Sequence, residues 1–216
     1  ERDLPVAIAQ RRKGSVIANV QNLGSSALGP YGGTIRGELY DLTGLGDRTY
    51  VTSFTTLDFV EQQTFQFGHD FAVGSEGIRV GGSLTLSATN PDNGLAGFDI
   101  ESESVIGNLF VSLPVERTRR SSTYINLGAD IVDQSVDVNN IDLTKDRVRT
   151  LYARLDRDVI DRMSVQRLGG YTPFEPRLRY GYGVELRKGF DAFSASPDCR
   201  PELTACLVGG AIPPSR

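Results

Sequence analysis

The sequence has few of the residues that usually carry catalysis, metal binding or redox chemistry. Its 216 residues include one histidine, two cysteines and no tryptophan, and they contain no Gly-rich phosphate-binding motif. No apolar run approaches the ~20 residues that a transmembrane helix needs, and residues 1–14 lack the basic, apolar and small-residue order of a signal peptide. We therefore predict that the protein is not an enzyme and uses no cofactor or metal, and that any export signal lies upstream.

The charge of the chain is nearly balanced. Its 27 acidic and 23 basic residues give a formal net charge of -4, which argues against a nucleic-acid partner held by a basic surface. A basic turn at 116–120 has two interpretations, a solvated turn or a contact with phosphate headgroups, and the composition favours the first.

The histidine and three acidic residues are the candidates for a chemical site. His69 shares its strand parity with neighbouring phenylalanines, which favours a structural or interface role over that of a catalytic base. Asp130, Asp133 and Asp137 recur along one predicted strand, where three acids without a histidine are more often a solvated strand end than a metal site. No catalytic or metal-ligating residue is predicted.

Both cysteines lie in one segment that is rich in turn-forming residues. Cys199 and Cys206 could form a disulfide that closes a small loop if the protein is exported to an oxidising compartment. The alternative is a pair of free thiols.

Apolar and polar residues alternate in segment after segment, which predicts β-strands. Helical periodicity is weak everywhere, apart from a short possibility around 156–163. The predicted fold class is therefore all-β, an antiparallel meander of about nine strands. The predicted strands span 15–22, 33–42, 48–59, 64–73, 78–90, 101–115, 122–138, 147–159 and 177–188.

The alternation sorts the strands into a polar and an apolar face. The residues predicted on the polar face are Arg79, Arg154, Asp156, Arg177, Arg179, Glu185 and Arg187. Those predicted on the apolar face are Leu84, Leu86, Leu109, Val111, Leu127, Ile131, Tyr180, Tyr182 and Val184. Tyrosines near a strand end also suit an interfacial aromatic girdle.

Two architectures can hold strands with two such faces, a soluble sandwich and a transmembrane barrel. Several predicted strands exceed the ~5 to 6 residues usual in soluble sheets and reach the ~9 to 11 of tilted membrane strands. Short connections, with one exception at 59–63, are predicted to alternate with longer ones at 23–33, 90–99, 138–146 and beyond 196. This favours a barrel with longer loops outside the cell and shorter turns in the periplasm.

Three stretches carry a resemblance to a known family. Residues 20–47 contain, in order, Asn22, Gly24, Ser25, Gly44, Gly46 and Asp47. This stretch looks like the first two barrel strands of two-partner secretion transporters, the haemolysin activation and filamentous-haemagglutinin export family, although Leu23 replaces the usual aromatic residue. Residues 109–134 and 179–193 are similar to later strands and turns of the same barrel, so the resemblance covers about 15–195.

The resemblance implies a transporter in the bacterial outer membrane that exports one large haemolysin or adhesin. Its partners would be the unfolded exoprotein client and membrane lipid, with no nucleic acid, and the full-length protein would be a monomer. The polar face would line the lumen and the apolar face would contact lipid. Family members have periplasmic domains before a sixteen-stranded barrel. We therefore expect 1–14 to be the end of a periplasmic domain or a linker, and 15–216 to be a fragment that forms roughly the first half of the transmembrane barrel.

Other functions fit the same pattern less well. The barrel could belong to a different outer-membrane assembly factor or to a porin, although the predicted loops are short for a porin constriction loop. A soluble all-β binding module, with its apolar faces packed in a sandwich, is the remaining alternative.

Overall fold

The chain forms one antiparallel sheet of nine strands in sequence order. The structure is a computed structural model that describes residues 13–25, 28–91, 99–139, 141–166 and 175–196. Each strand pairs with its neighbours along the chain, which confirms the predicted all-β meander. The strands are β1 (Gly14–Gln21), β2 (Gly32–Tyr40), β3 (Arg48–Thr56), β4 (Gln62–Val73), β5 (Ile78–Thr89), β6 (Ile100–Arg117), β7 (Ser121–Val138), β8 (Ile141–Ile160) and β9 (Arg179–Gly189).

The sheet is a single layer. Among the described residues no apolar side chain is buried, and no second sheet covers either face. The sandwich that the alternation left open is therefore wrong for this part of the chain. The sheet is not closed, because β1 pairs only with β2 and β9 pairs only with β8. Such a sheet matches a segment of a barrel wall, in which further strands would complete the pairing.

The predicted loop at 138–146 is wrong, because most of it belongs to β8. The connection between β7 and β8 is only 139–140. Asn139 has a positive φ of 51°, a conformation that asparagine tolerates better than most residues and that two-residue hairpin turns require. Ile141 and Leu143 then continue the strand opposite the end of β7.

The connection between β8 and β9 covers 161–178 and lies at the end of the sheet where short turns were predicted. Its described residues, 161–166 and 175–178, include one short helix, α1 (Arg162–Val165), which begins where the Asp161 carboxylate accepts hydrogen bonds from the amide and hydroxyl of Ser164. The strict alternation of short and long connections is therefore not observed. No helix in the described ranges is long and apolar enough to cross a membrane.

Two of the predictions concern residues that the structure does not describe. Residues 1–12 hold most of the expected end of a preceding domain, and Cys199 and Cys206 follow residue 196. The disulfide and the domain boundary therefore stay predictions.

Candidate functional site on the polar face of the sheet

Strand register divides the side chains between two faces, as the sequence predicted. Arg36 of β2 pairs with Thr52, which pairs with Gln66, which in turn pairs with Thr85, and paired residues project from the same face. We call this the polar face. It includes the predicted residues Arg79, Arg154, Asp156, Arg179, Glu185 and Arg187.

Arg177 is the one predicted polar-face residue that does not lie in a strand. β9 begins at Arg179, and the Arg177 amide instead donates to the Ser164 hydroxyl at 2.9 Å. The alternation extends to Leu178 in the sequence, but Asp161 and Ser164 hold this stretch as the last part of the connection. Its assignment to a strand was therefore wrong.

The opposite, apolar face carries all nine residues that the sequence placed there. Each predicted residue has the parity of this face in the register. All except Val111 are exposed, from 39% for Ile131 to 66% for Leu109. An apolar surface that extends over β4 to β9 without a protein partner is unusual for a protein surface in water.

One group of charges on the polar face, the turn-end cluster, consists of Arg48, Asp70 and Arg79. It lies beside the connections 41–47 and 74–77. The Asp70 carboxylate is 3.0 Å from Arg48 Nε and accepts from Arg79 Nε at 2.8 Å. Arg79 also donates to the Gly46 carbonyl at 3.2 Å. One buried carboxylate thus joins β3, β4 and β5 to the turn before β3.

A tyrosine extends this cluster toward the edge of the sheet. Tyr50 lies opposite Gly68, and its ring fills the space that a Cβ would occupy there. The guanidinium groups of Arg36 and Arg48 lie 4.5 and 5.5 Å from the ring centroid, distances at which a cation is attracted to an aromatic face. Arg36 also pairs with Glu38 at 2.7 Å.

A second group, the mid-strand cluster, lies on β6 to β9. Asp130 accepts from the Asn108 amide at 2.6 Å and pairs with Arg187 at 3.0 Å. Arg187 also pairs with Glu185, whose second oxygen is 3.9 Å from Arg154. The remaining members are Asn126, Tyr152 and Asp156, with Arg154 paired to Asp156 at 2.8 Å.

The mid-strand cluster is open to its surroundings. It lines a shallow pocket of about 290 Å³, and the side chains of Arg154 and Arg187 are 51% and 54% exposed. Its donors and acceptors can therefore exchange partners with a polar occupant of the pocket.

Sequence reasoning missed Asp70 and Arg48. Both residues have the polar parity of their strands. In β4, however, the phenylalanines give the strongest signal in the pattern, and that signal concerns only the apolar face. A signal was present: the short connections 57–61 and 74–77 join β3 to β4 and β4 to β5 and limit their register, which places Asp70 opposite Arg48 and beside Arg79.

The candidate acids do not form one site. Asp130 projects from the polar face, whereas Asp133 projects from the apolar face and pairs there with Arg149 at 2.6 Å. His69 also lies on the apolar face, where Nδ1 is 2.8 Å from the Thr49 hydroxyl and the ring contacts Phe71. His69 therefore has the packing role that its parity indicated.

The connection 41–47 contains the family-like residues Gly44, Gly46 and Asp47, and hydrogen bonds to the Asp47 carboxylate hold this turn closed. The Asp47 carboxylate accepts from the Thr43 hydroxyl at 2.6 Å and from the amides of Thr43 and Leu42 at 2.8 and 3.1 Å. These bonds, with that from the Thr43 hydroxyl the strongest, lower the pKa of Asp47. Gly44 and Gly46 have positive φ of 79° and 61°, which glycine adopts without strain.

The other motif residues, Asn22, Gly24 and Ser25, lie in the connection between β1 and β2. The Gly24 amide donates to the Pro30 carbonyl at 3.3 Å. A Cβ at Gly24 would collide with the Gly29 carbonyl, so this position requires glycine.

Comparisons with known proteins agree with this fold. No family model and no curated protein matches the chain. Among solved structures, CdiB from Escherichia coli is similar, with a TM-score of 0.72 at 14% identity over 89% of this chain. CdiB from Acinetobacter baumannii is similar with a TM-score of 0.58 at 14% identity over 83% of this chain. The matches cover 34% and 32% of those two chains, so this chain spans about a third of their length. The fold that the sequence resemblance predicted is thus confirmed.

Proposed function

We propose that this chain is part of the barrel wall of an outer-membrane transporter that exports an exoprotein by two-partner secretion. The observation that carries the proposal is the single-layer sheet whose apolar face is exposed and whose other face carries charged clusters. Lipid on one side and a wet lumen on the other satisfy both faces, whereas water on both sides would leave the apolar face unsatisfied.

The fold likeness to CdiB supports the secretion function over other barrel functions. The two CdiB proteins are two-partner secretion transporters, and the sequence resemblance indicates the same family from different evidence, the turn motifs. The proposed location is the bacterial outer membrane, and the proposed client is a large haemolysin or adhesin that passes as an unfolded chain. In this proposal 15–216 belongs to the barrel, and 1–14 ends a periplasmic domain or linker.

The polar face would act on the client without covalent chemistry. An unfolded polypeptide presents backbone carbonyls, amides and charged side chains, and these are the partners that exposed guanidinium and carboxylate groups can bind and release. The mid-strand cluster offers such groups at Arg154 and Arg187. The proposed transporter is a monomer, binds no nucleic acid and is not an enzyme.

Two measurements on the full-length protein test the proposal. Membrane fractionation should recover the protein with outer-membrane proteins and not in the soluble fraction. Deletion of its gene should remove one large exoprotein from the culture medium or cell surface, while the composition of the outer membrane stays the same.

The alternatives give different results in the same experiments. Loss of many outer-membrane proteins on deletion would indicate a general assembly factor. Steady, ion-selective conductance with normal exoprotein export would indicate a porin. Recovery of a compact monomer without detergent would indicate a soluble binding module. Any of these outcomes would contradict two-partner secretion.

A further inference from the structure

The apolar face has a charged border at each end, and β8 shows both. Between Arg149 and Arg157, the residues of β8 on this face are Leu151, Ala153 and Leu155. At ~3.4 Å per residue the two arginines are ~27 Å apart along the strand, which corresponds to ~20 Å of height for a strand tilted by ~40°. An outer-membrane barrel has an apolar band ~25 Å tall, so the two arginines lie near the edges of such a band.

The arginine at one border is enclosed by protein. The Arg149 side chain is 5% exposed and lies 2.6 Å from the Asp133 carboxylate. It also donates to the carbonyls of Val132 at 3.1 Å and Phe193 at 3.3 Å. This border therefore contributes to the structure by holding the chain after β9 against the sheet.

The arginine at the other border lines an open pocket of about 700 Å³. Arg157 is partly exposed and lies 3.3 Å from Glu116. Arg119 and Arg120, in the connection 118–120, line the same pocket. Within the part of the chain that the structure describes, neither of their side chains forms an ion pair. Three arginines and one glutamate thus line the pocket, which gives it a net positive charge.

The opposite wall of this pocket is aromatic and apolar. Tyr182 lies directly across from Arg157 in the register, and Tyr180 lies across from Val159, two pairs further toward the strand end. Both tyrosines are half exposed, and Val159 and Val165 complete the wall. Tyrosine is enriched at the level of lipid headgroups, where its ring contacts apolar groups and its hydroxyl contacts water or phosphate.

We propose that this pocket binds the headgroup of an anionic phospholipid. Arg119, Arg120 and Arg157 bind the phosphate, since a guanidinium matches phosphate oxygens with two parallel hydrogen bonds. Tyr180 and Tyr182 contact the glycerol and the first acyl carbons, which continue along the apolar face. A free phosphate ion would use the arginines but not the tyrosine wall. The proposal rests on the proposed function, because it requires the apolar face to lie against lipid.

Native mass spectrometry of the full-length protein in detergent tests this site. Short-chain phosphatidylglycerol is the probe, and phosphatidylcholine, whose phosphate carries a choline cation, is the comparison lipid. We expect wild-type protein to retain phosphatidylglycerol in preference. A variant with Arg119→Gln, Arg120→Gln and Arg157→Gln should bind it at least about tenfold more weakly, because several charge-assisted hydrogen bonds are lost.

A matched control removes the same charge from the other border. Lys145→Gln, Arg147→Gln and Lys188→Gln also replace three basic residues on the apolar face, and should change the affinity by less than about twofold. Equal loss in both variants would overturn the site, as would equal retention of both lipids by wild-type protein. Displacement of the lipid by excess inorganic phosphate would reveal a general anion site and would also overturn the proposal.

Separate measurements distinguish failure of this site from failure of the proposed function. Membrane fractionation and exoprotein export report the function, while the preference between the two lipids reports the site. If the protein is in the outer membrane and exports its client, but shows no lipid preference, only the headgroup site is wrong. The wild-type preference also tests the site if the triple variant does not fold.

Discussion

Two regions of the polar face contain the same structural unit in different surroundings. In the turn-end cluster, Tyr50 lies across Gly68 of the next strand, with an arginine over its ring at 5.5 Å. In the mid-strand cluster, Tyr152 lies across Gly128, again with an arginine over its ring at 5.5 Å. In both places the aromatic ring on one strand covers the glycine opposite it on the neighbouring strand, an arrangement that stabilises strand pairing at glycine positions.

The difference lies in the carboxylate beside each unit. Asp70 is buried, with 6% of its side chain exposed, and two arginines share it. Asp130 is 15% exposed and belongs to a network that lines an open pocket. The same unit can therefore stabilise strand pairing near a turn or form part of a surface that remains open to an occupant. We therefore expect the loss of a charged group from the first cluster to reduce stability, and the loss of a charged group from the second to affect transport.

Replacing the shared carboxylate should have the largest effect. Asp70→Asn removes the negative charge between two arginines, and breaking buried ion pairs is strongly destabilising. Because the two arginines are 43% and 37% exposed, we expect a smaller loss of about 2 to 3 kcal/mol in the free energy of unfolding. Asp156→Asn, in the open cluster, should cost about 1 kcal/mol or less. Urea unfolding of the full-length protein in detergent measures both, and equal losses would contradict the comparison.

The two glycines should respond differently to alanine. A Cβ at Gly128 would meet the Tyr152 ring and also the Leu109 carbonyl oxygen, at 2.6 Å. A Cβ at Gly68 would meet the Tyr50 ring, which can rotate away. We expect Gly128→Ala to cost about 2 kcal/mol and Gly68→Ala about 1 kcal/mol, since overpacking against backbone cannot relax by a rotamer change. Urea unfolding measures both losses in the free energy of unfolding. A larger loss for Gly68→Ala than for Gly128→Ala would contradict the conclusion that the backbone contact at Gly128 is the one that cannot relax.

Charge removal from the two clusters should separate transport from stability. Arg154→Gln with Arg187→Gln removes two exposed positive charges from the face proposed to line the lumen. The ratio of anion to cation permeability in planar bilayers should fall by about twofold, because lumen charge sets the local ion concentration. The matched variant, Arg48→Gln with Arg79→Gln, should instead reduce the yield of folded protein. An unchanged permeability ratio in the first variant would place its residues outside the lumen.

The sequence predicted the strands and their faces because alternation is a local property. Leu109, Leu127 and Val184 lie on one face in the structure because their parity requires it. Strand ends were predicted less well, since they depend on particular backbone conformations. Asn139 at positive φ allowed a two-residue turn where a loop was expected. Asp161 and Ser164 ended the connection before β9, where alternation alone continued the strand to Arg177.

The charged clusters could not be predicted from alternation alone because they join residues from several strands. Asp70 meets Arg48 and Arg79 only once the register of three strands is fixed. The mid-strand cluster needs four strands in register, including β8 and β9, whose connection is long and does not fix the pairing by itself. The absence of a second layer is also a tertiary property, since one two-faced strand fits a sandwich and a barrel equally well.

The turn beside the turn-end cluster should show the smallest effect, a local one that depends on pH. Hydrogen bonds from the Thr43 hydroxyl and from two amides hold the pKa of Asp47 below its ordinary value of 3.8. Because the folded pKa is lower than the unfolded one, the contribution of Asp47 to stability is complete above about pH 4 and is lost as the pH falls through the folded pKa. The amide chemical shifts of Leu42 and Thr43 should therefore titrate with a midpoint below 3.8. Asp47→Asn, which does not titrate, should remove this transition, and a midpoint at or above 3.8 in the wild-type protein would show that these bonds do not close the turn.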